Sequence, residues 1–296
     1  MELTFLGTAA MMPTRDRNHP AVYLKFKGEG ILFDCGEGTQ RQFRTAGLKP
    51  TAITMICISH WHGDHVLGLP GLLQTLRKSE YQGTLVVIGP VGTKKKMAAM
   101  YSWLEEGNDL SVDIKEVTKG VAYDSGLFMI EVLPLEHPVP TIGFRFIEKD
   151  RRRINLVYTK KLGIPEGPIL GDIQDGKSVS WKGKRVDIKK ATYPVEGKKI
   201  AYFGDTGMTK NAIVLAEDVD LLISEATFGG EHQEKAEAYQ HLTAEDAAKI
   251  ANLAGAKKLV LTHFSQRYKE LSQQEEEVKR LFPESVLAYD FLRIKV

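Results

Sequence analysis

Cysteine is scarce in this 296-residue chain: Cys35 and Cys57 are its only two. Two thiols cannot build a disulfide framework or a cysteine-based zinc cluster. Each lies in or beside an apolar stretch, where a reduced, buried thiol is expected. Long hydrophobic runs are also missing, and none approaches the ~20 residues of a membrane span. The start, Met1-Glu-Leu-Thr-Phe-Leu-Gly7, has neither the basic beginning nor the long apolar segment of a secretory signal. A soluble, cytoplasmic protein without a membrane segment is the expectation. Net charge is only +2. Hydrophobic residues at 43% and charged residues at 26% are ordinary for a globular protein and exclude a disordered, collagen-like or coiled-coil chain. The length suits one or two domains with a core that needs no staples.

The charge is unevenly spread. Residues 145–199 hold 15 Lys and Arg against 7 Asp and Glu, a local balance of +8, and the remainder carries −6. Positive charge concentrated in one segment of an acidic body points to a polyanionic partner there.

Apolar alternation places strands at residues 2–6, 21–26, 30–34, 52–59, 84–88, 111–117, 127–133 and 141–147. Helices are expected at about 36–46, 67–78 and 92–106. Residues 150–199 break the pattern with irregular Gly and Pro and clustered basic residues, and they read as an inserted arm. The core pattern resumes with strands at 199–203, 220–224 and 259–262. Helices follow at 211–216, from the cap Thr243 to about 253, and at 275–281. No internal repeat is visible. Two β-then-α stretches around an insert argue for one α/β domain of several layers, 1–296, whose strand order stays unread.

The sharpest feature is Ser59-His60-Trp61-His62-Gly63-Asp64-His65. Three of the chain's eight histidines and an aspartate fall within six residues, just after a buried strand. Imidazole and carboxylate are zinc ligands. Residues two apart in an extended turn share a side, so His60 and His62 can face one metal while Asp64 and His65 turn toward a second. Further ligands must come from other strand ends. His137, Asp205 and His263 each follow an apolar run, where a sheet delivers side chains to a common rim. Asp205, with two oxygens, is the natural bridge. Two zinc ions ~3.5–4 Å apart clamp an in-line displacement at phosphorus. Hydrolysis is therefore expected, and the basic arm suggests a phosphodiester.

At these residues the chain resembles the metallo-β-lactamase superfamily, which implies an α/β fold, a four-layer αβ/βα sandwich with zinc at one edge. Further strings resemble the short form of ribonuclease Z, the tRNA 3′-processing endonuclease family. Pro13-Thr-Arg15-Asp-Arg17-Asn18 is similar to its PxKxRN loop, with Arg15 for Lys. Ser224-Glu225-Ala226-Thr227 is similar to its HEAT loop, with Ser224 for His. His241-Leu242-Thr243 is similar to its HST loop, with Leu242 for Ser. Gly167-Pro168, within residues 163–177, resembles its GP-containing exosite.

The resemblance implies roles. His60, His62 and His137 would hold one zinc, and Asp64, His65 and His263 a second, with two zinc ions per subunit. Asp205 would bridge them. Asp64 would also take the proton of the attacking water, and His241, supported by Glu225, would protonate the departing 3′ oxygen. Cleavage would release the 3′ trailer of precursor tRNA, leaving a 3′-hydroxyl on the tRNA and a 5′-phosphate on the trailer. Arg15, Arg17 and Asn18 would meet the tRNA 3′ end. The arm, through Gly167, Pro168, Arg151, Arg152, Arg153, Lys182, Lys184 and Arg185, would grip the tRNA elbow. A homodimer is implied, one subunit's arm serving the other's site. Lys94-Lys95-Lys96 opens a helix and reads as a solvated face, and His19 and His232 as structural or solvated. Rival readings are a hydrolase of small phosphodiesters, thioesters or sulfate esters, and a non-catalytic RNA-binding module.

Overall fold

Strand sequences that alternate or run apolar must bury a face, and here they do so in two sheets packed on each other. The computed structural model describes residues 1–102 and 110–296. One seven-stranded sheet has the order Arg293–Lys295, Glu2–Gly7, Ala21–Phe26, Glu29–Phe33, Met55–Cys57, Leu85–Gly89, Val112–Glu116. The other, also of seven, runs Ser285–Leu287, Leu259–Thr262, Leu221–Glu225, Lys199–Tyr202, Ile142–Glu148, Phe128–Pro134, Gly120–Asp124. Aromatic residues fill the space between them: Phe33 stacks on Tyr202, and Phe128 on Phe146, at ring-centre distances of 5.1 Å each. Packed aromatic pairs of this kind add to the area they bury.

The outer faces are covered by amphipathic helices. Leu69–Lys78 turns Leu69, Leu72, Leu73 and Leu76 onto the first sheet, the three-and-four spacing of a one-sided helix. Ala244–Leu253 and Ser272–Leu281 cover the second. The Thr243 hydroxyl accepts the Asp246 amide at 3.1 Å and sets where the first of these begins. The result is a four-layer αβ/βα sandwich. Cys35 and Cys57 are buried and unpaired.

The sequence pattern differs from the structure in several places. The strand expected over 52–59 is only Met55–Cys57, because Pro50–Ala52 makes a short 3-10 turn. The helix expected over 92–106 is Thr93–Ser102; residues 103–106 lie outside the described residues. Strands Gly120–Asp124 and Arg293–Lys295 were not anticipated, since both are edge strands with little apolar alternation. Helix Gln233–Tyr239 buries only Ala236 and so carries no apolar stripe for the sequence pattern to show.

Residues 151–195 are more ordered than their composition suggests. Arg151–Ile154 pairs antiparallel with Thr192–Val195. Three short helices, Leu156–Lys161, Pro168–Gln174 and Ile188–Ala191, and a hairpin with Lys182-Gly183 at its tip lie between. Both tip residues have positive φ, 49° and 76°, the two-residue turn whose twist matches its strands. Ile164, Ile173, Val179, Val186 and Ala191 give this segment its own small core.

Candidate metal centre

Two strands from the parallel part of each sheet point their carboxyl ends at one rim, the usual location of ligand sites in such sheets. Asp34 follows Glu29–Phe33, the histidine loop follows Met55–Cys57, Asp205 follows Lys199–Tyr202, and His263 follows Leu259–Thr262. His137 arrives from the antiparallel strand Phe128–Pro134. Asp34 and His263 hold left-handed backbones, φ 56° and 61°, a conformation costing about 1–3 kcal/mol that persists where surroundings over-determine it. Gly204 lets the Asp205 strand end approach the histidine loop, because a Cβ there would lie 2.5 Å from Ser59 Oγ.

The seven expected ligand residues come together as two donor sets. In the first, His62 Nδ1 lies 3.0 Å from His60 Nε2 and 3.2 Å from His137 Nε2. Asp205 Oδ2 closes it at 3.5 and 3.7 Å from His60 and His137. In the second, His65 Nε2 and His263 Nε2 are 3.3 Å apart. Asp64 Oδ2 lies 3.5 and 3.4 Å from them, and Asp205 Oδ1 3.2 Å from each. Asp205 thus turns one oxygen to each set.

Hydrogen bonds around the sets decide which nitrogens carry protons. Asp34 Oδ2 can only accept, so His65 Nδ1, 2.8 Å away, donates. Ser59 Oγ donates to Asp34 Oδ2 and therefore accepts from His60 Nδ1 at 3.0 Å. The Gln240 carbonyl accepts from His137 Nδ1 at 3.2 Å. Thr227 Oγ1 donates to Glu225 Oε2 at 2.6 Å and accepts from His263 Nδ1 at 2.8 Å. Each of these four imidazoles is left with an Nε2 lone pair aimed inward, the orientation that outer partners impose on metal-ligating histidines. Converging lone pairs cannot hydrogen-bond to one another. Ligands ~2.1 Å from a tetrahedral zinc stand ~3.4 Å apart, close to the spacings found here. Asp64 Oδ1 and Asp205 Oδ1 are buried with no hydrogen-bond partner. The residues therefore fit two divalent cations.

Titration agrees. Burial pushes His60, His62 and His137 below the usual histidine range, leaving neutral ligands. Burial also opposes charge on His65, but Asp205, Asp34 and Asp64 outweigh it and raise its pKa, which favours a proton on Nε2 that a bound cation would displace. Burial would raise Asp205, yet His263, His65 and His60 hold it well below the carboxylate range. His65 and His263 do the same for Asp64.

Beside the donors, His241 Nδ1 lies 2.9 Å from Glu225 Oε1, which also accepts the Thr206 amide at 2.8 Å. Burial lowers the His241 pKa, but the Glu225 charge and hydrogen bond prevail and raise it to about 9. The Met11 amide donates to Asp64 Oδ2 at 2.9 Å. A cleft of about 340 Å³ opens over these groups, bordered by Met11, Met12, Phe228, Tyr239 and Arg267.

The remaining sequence-predicted residues lie elsewhere. Arg15 is exposed, three residues beyond Met12 of the cleft's border. Arg17 is half-buried, its guanidinium donating to the Tyr268 carbonyl, and Asn18 donates through Nδ2 to the Glu37 carbonyl at 2.8 Å. Arg151, Arg152, Arg153, Lys182, Lys184, Arg185, Gly167 and Pro168 are exposed on the arm. The arm's root is distant: strand Ile142–Glu148 starts at the site, where the Ile142 amide meets the Ser59 carbonyl at 3.0 Å. It ends six residues on, ~20 Å away. Part of the positive balance is spent at that root, with Arg145 donating to the Leu215 carbonyl and Lys198 to Asp220, each at 2.8 Å.

Asp34 was missed from the sequence, although an acidic residue ending an apolar strand is the signal that singled out Asp205. Tyr202, whose hydroxyl donates to Asp34 Oδ2 at 2.8 Å, and the Thr227 hydroxyl offered no such signal.

Among known proteins, an anti-Pycsar protein Apyc1 family model matches residues 1–96, and a β-lactamase superfamily domain model matches residues 177–264. Ribonuclease Z of Picosynechococcus sp. is 40% identical over 99% of this chain and 95% of its own. Ribonuclease BN of Cronobacter sakazakii is 39% identical over 100% of both. The crystal structure of human tRNase Z, short form, aligns over 100% of this chain and 99% of its own, with 30% identity and a TM-score of 0.74.

Proposed function

The chain belongs to the ribonuclease Z family, within the metallo-β-lactamase fold, and is an endoribonuclease; from that premise we propose how its residues remove the 3′ trailer of precursor tRNA. The observation that carries the mechanism is the pair of donor sets sharing Asp205, with the Glu225–His241 pair alongside.

His60, His62, His137 and Asp205 would hold one zinc ion, and Asp64, His65, His263 and Asp205 the second. When bound, two such ions supply Lewis acidity, lowering the pKa of water and neutralising charge on the phosphoryl oxygens. Asp64 accepts the proton of the attacking water. Its Oδ2 is engaged by the Met11 amide, and its buried Oδ1 has no partner of its own. A carboxylate so placed is suited to general-base work.

His241 supplies the proton at the other end. Glu225 fixes Nδ1, so Nε2 is the nitrogen free to face the leaving group. The raised pKa keeps the ring protonated at neutral pH. A ribose 3′ alkoxide leaves poorly unless protonated, which makes this transfer worthwhile. The phosphorus–O3′ bond breaks, leaving a 3′-hydroxyl on the tRNA and a 5′-phosphate on the trailer.

RNA duplexes are read through backbone shape and their single-stranded ends rather than through the deep major groove. The arm supports recognition at a distance: it leaves the sheet ~20 Å along strand Ile142–Glu148 from the chemistry. Its exposed basic side chains would hold the tRNA elbow, while Arg15, on the exposed loop that follows the cleft residues Met11 and Met12, would meet the 3′ end. A homodimer in which one subunit's arm serves the other's site, and a cytoplasmic location, belong to the same proposal. No helix among the described residues is long and apolar enough to cross a membrane.

The test is cleavage of a 3′-trailered pre-tRNA by the wild type and by Asp64→Ala, with end mapping and metal content for both. A cut just after the discriminator base, lost in the variant, is expected. No cut by a metal-replete wild type would transfer the assignment to a small-ester hydrolase of the same fold.

A further inference from the structure

A second depression adjoins the cleft. It has a volume of about 300 Å³ and shares His137 and Pro138 with the catalytic cleft as a common wall. Pro90, Val91, Val117, Pro138, Val139 and Pro140 line it, and Val91 is 58% exposed. Proline and valine give it a dry face with almost no hydrogen-bonding specificity. Its rim is basic. Lys94, Lys95 and Lys96 begin three residues after Val91, Lys119 follows the lining residue Thr118, and all four are exposed; the Glu116 carboxylate, which accepts the Gly92 and Lys94 amides, is the acidic group beside them. Trp61, inside the histidine loop, ties this rim to the metal centre: its Nε1 donates to Thr93 Oγ1 at 2.9 Å. The Lys96 ammonium lies 5.5 Å from the Trp61 ring centre.

We infer that this depression is a subsite for the first unpaired nucleotides of the trailer, on the 3′ side of the scissile phosphate. The occupant follows from continuity and charge, and the inference rests on the trailer-removal function. One end of the cleft is bordered by Met11 and Met12, next to the loop that carries Arg15 and Arg17. That end suits the tRNA. The other end passes His137 into the depression, where a strand leaving the metals meets apolar faces for its bases and lysines for its phosphates. Apolar and ring faces beside a basic track suit unpaired nucleic acid without sequence preference. Lys94-Lys95-Lys96 thereby becomes more than a solvated face.

The test compares pre-tRNAs carrying one-nucleotide and six-nucleotide trailers. In the wild type, kcat/KM should rise with trailer length. Val91→Asp, and separately Lys94 and Lys95 both changed to Glu, should lower kcat/KM on the long trailer about five- to tenfold. The one-nucleotide substrate should change less than twofold. Val91 and the lysines are exposed, so both variants should keep the wild-type melting temperature. In addition, 4-thiouridine at the second trailer position should photocrosslink within residues 90–96 or 134–142. Equal losses on both substrates, no loss on either, or a crosslink confined to residues 11–18 would overturn the subsite. Cleavage of the trailered substrate by the wild type would persist in all of those cases, so the subsite can fail while the endonuclease function stands.

Discussion

The metal centre and the basic arm carry opposite designs. At the centre, seven donor residues are buried or half-buried, and four of their imidazoles are locked by Asp34, Ser59, Thr227 and the Gln240 carbonyl. On the arm, Arg151, Arg152, Arg153, Lys184 and Arg185 stand in solvent around a small core of their own. Bond-making chemistry needs donors fixed to within fractions of an ångström. A polyanion is attracted by charge that need only be delivered to the right region. The centre should therefore respond sharply to single atoms, and the arm should respond in proportion to charge.

The largest effect is expected from Asp205→Ala, which removes an oxygen from both donor sets. Both metals should be lost by elemental analysis, and cleavage of pre-tRNA and of a small phosphodiester should fall together by about 10³-fold or more. Survival of either activity would detach chemistry from the shared carboxylate. Next is the arm. Its roots adjoin, the Gly197 amide donating to Asp150 Oδ1 at 2.8 Å, so residues 151–195 can be replaced by a short Gly-Ser link. Pre-tRNA kcat/KM should drop about 10²- to 10³-fold through lost phosphate contacts, while small-phosphodiester hydrolysis stays within about twofold. Equal loss of both would erase the distinction between the two regions.

A smaller effect tests the locking. Asp34→Asn should weaken metal affinity about 10- to 100-fold, as loss of an outer partner of a ligating histidine does. Competition with a chelator would measure it, and unchanged affinity would show that His65 orients itself. The smallest is a shift rather than a loss. Glu225 raises the His241 pKa, so Glu225→Gln should lower it. The acid form is then depleted at lower pH, and the alkaline limb of the kcat profile moves toward neutrality. A limb that stays in place, with kcat merely scaled down, would assign the proton to another group.

How much was legible follows from sequence distance. The histidine loop compresses four candidate donors into six residues, and strand-end positions exposed His137, Asp205 and His263. Period-two and period-four patterns disclosed most strands and helices of the sandwich. Edge strand Gly120–Asp124 and helix Gln233–Tyr239 escaped because they bury too little apolar surface to leave a pattern. Arm residues 151–195 were read as irregular because a core of five small apolar side chains is diluted by charge.

The amino-acid sequence by itself determined the donor chemistry and the excess of charge in one segment, since both are properties of residue type and local spacing. Only the tertiary structure decided how those donors are presented. Tyr202 reaches Asp34 across 168 residues, and Thr227 joins Glu225 to a histidine 36 residues further on. Strand register sets such contacts, and the contacts set which nitrogen of each ring keeps its proton. Which oxygen of Asp205 faces which set is likewise fixed by where the two sheets end, because that rim exists only after the two sheets have packed.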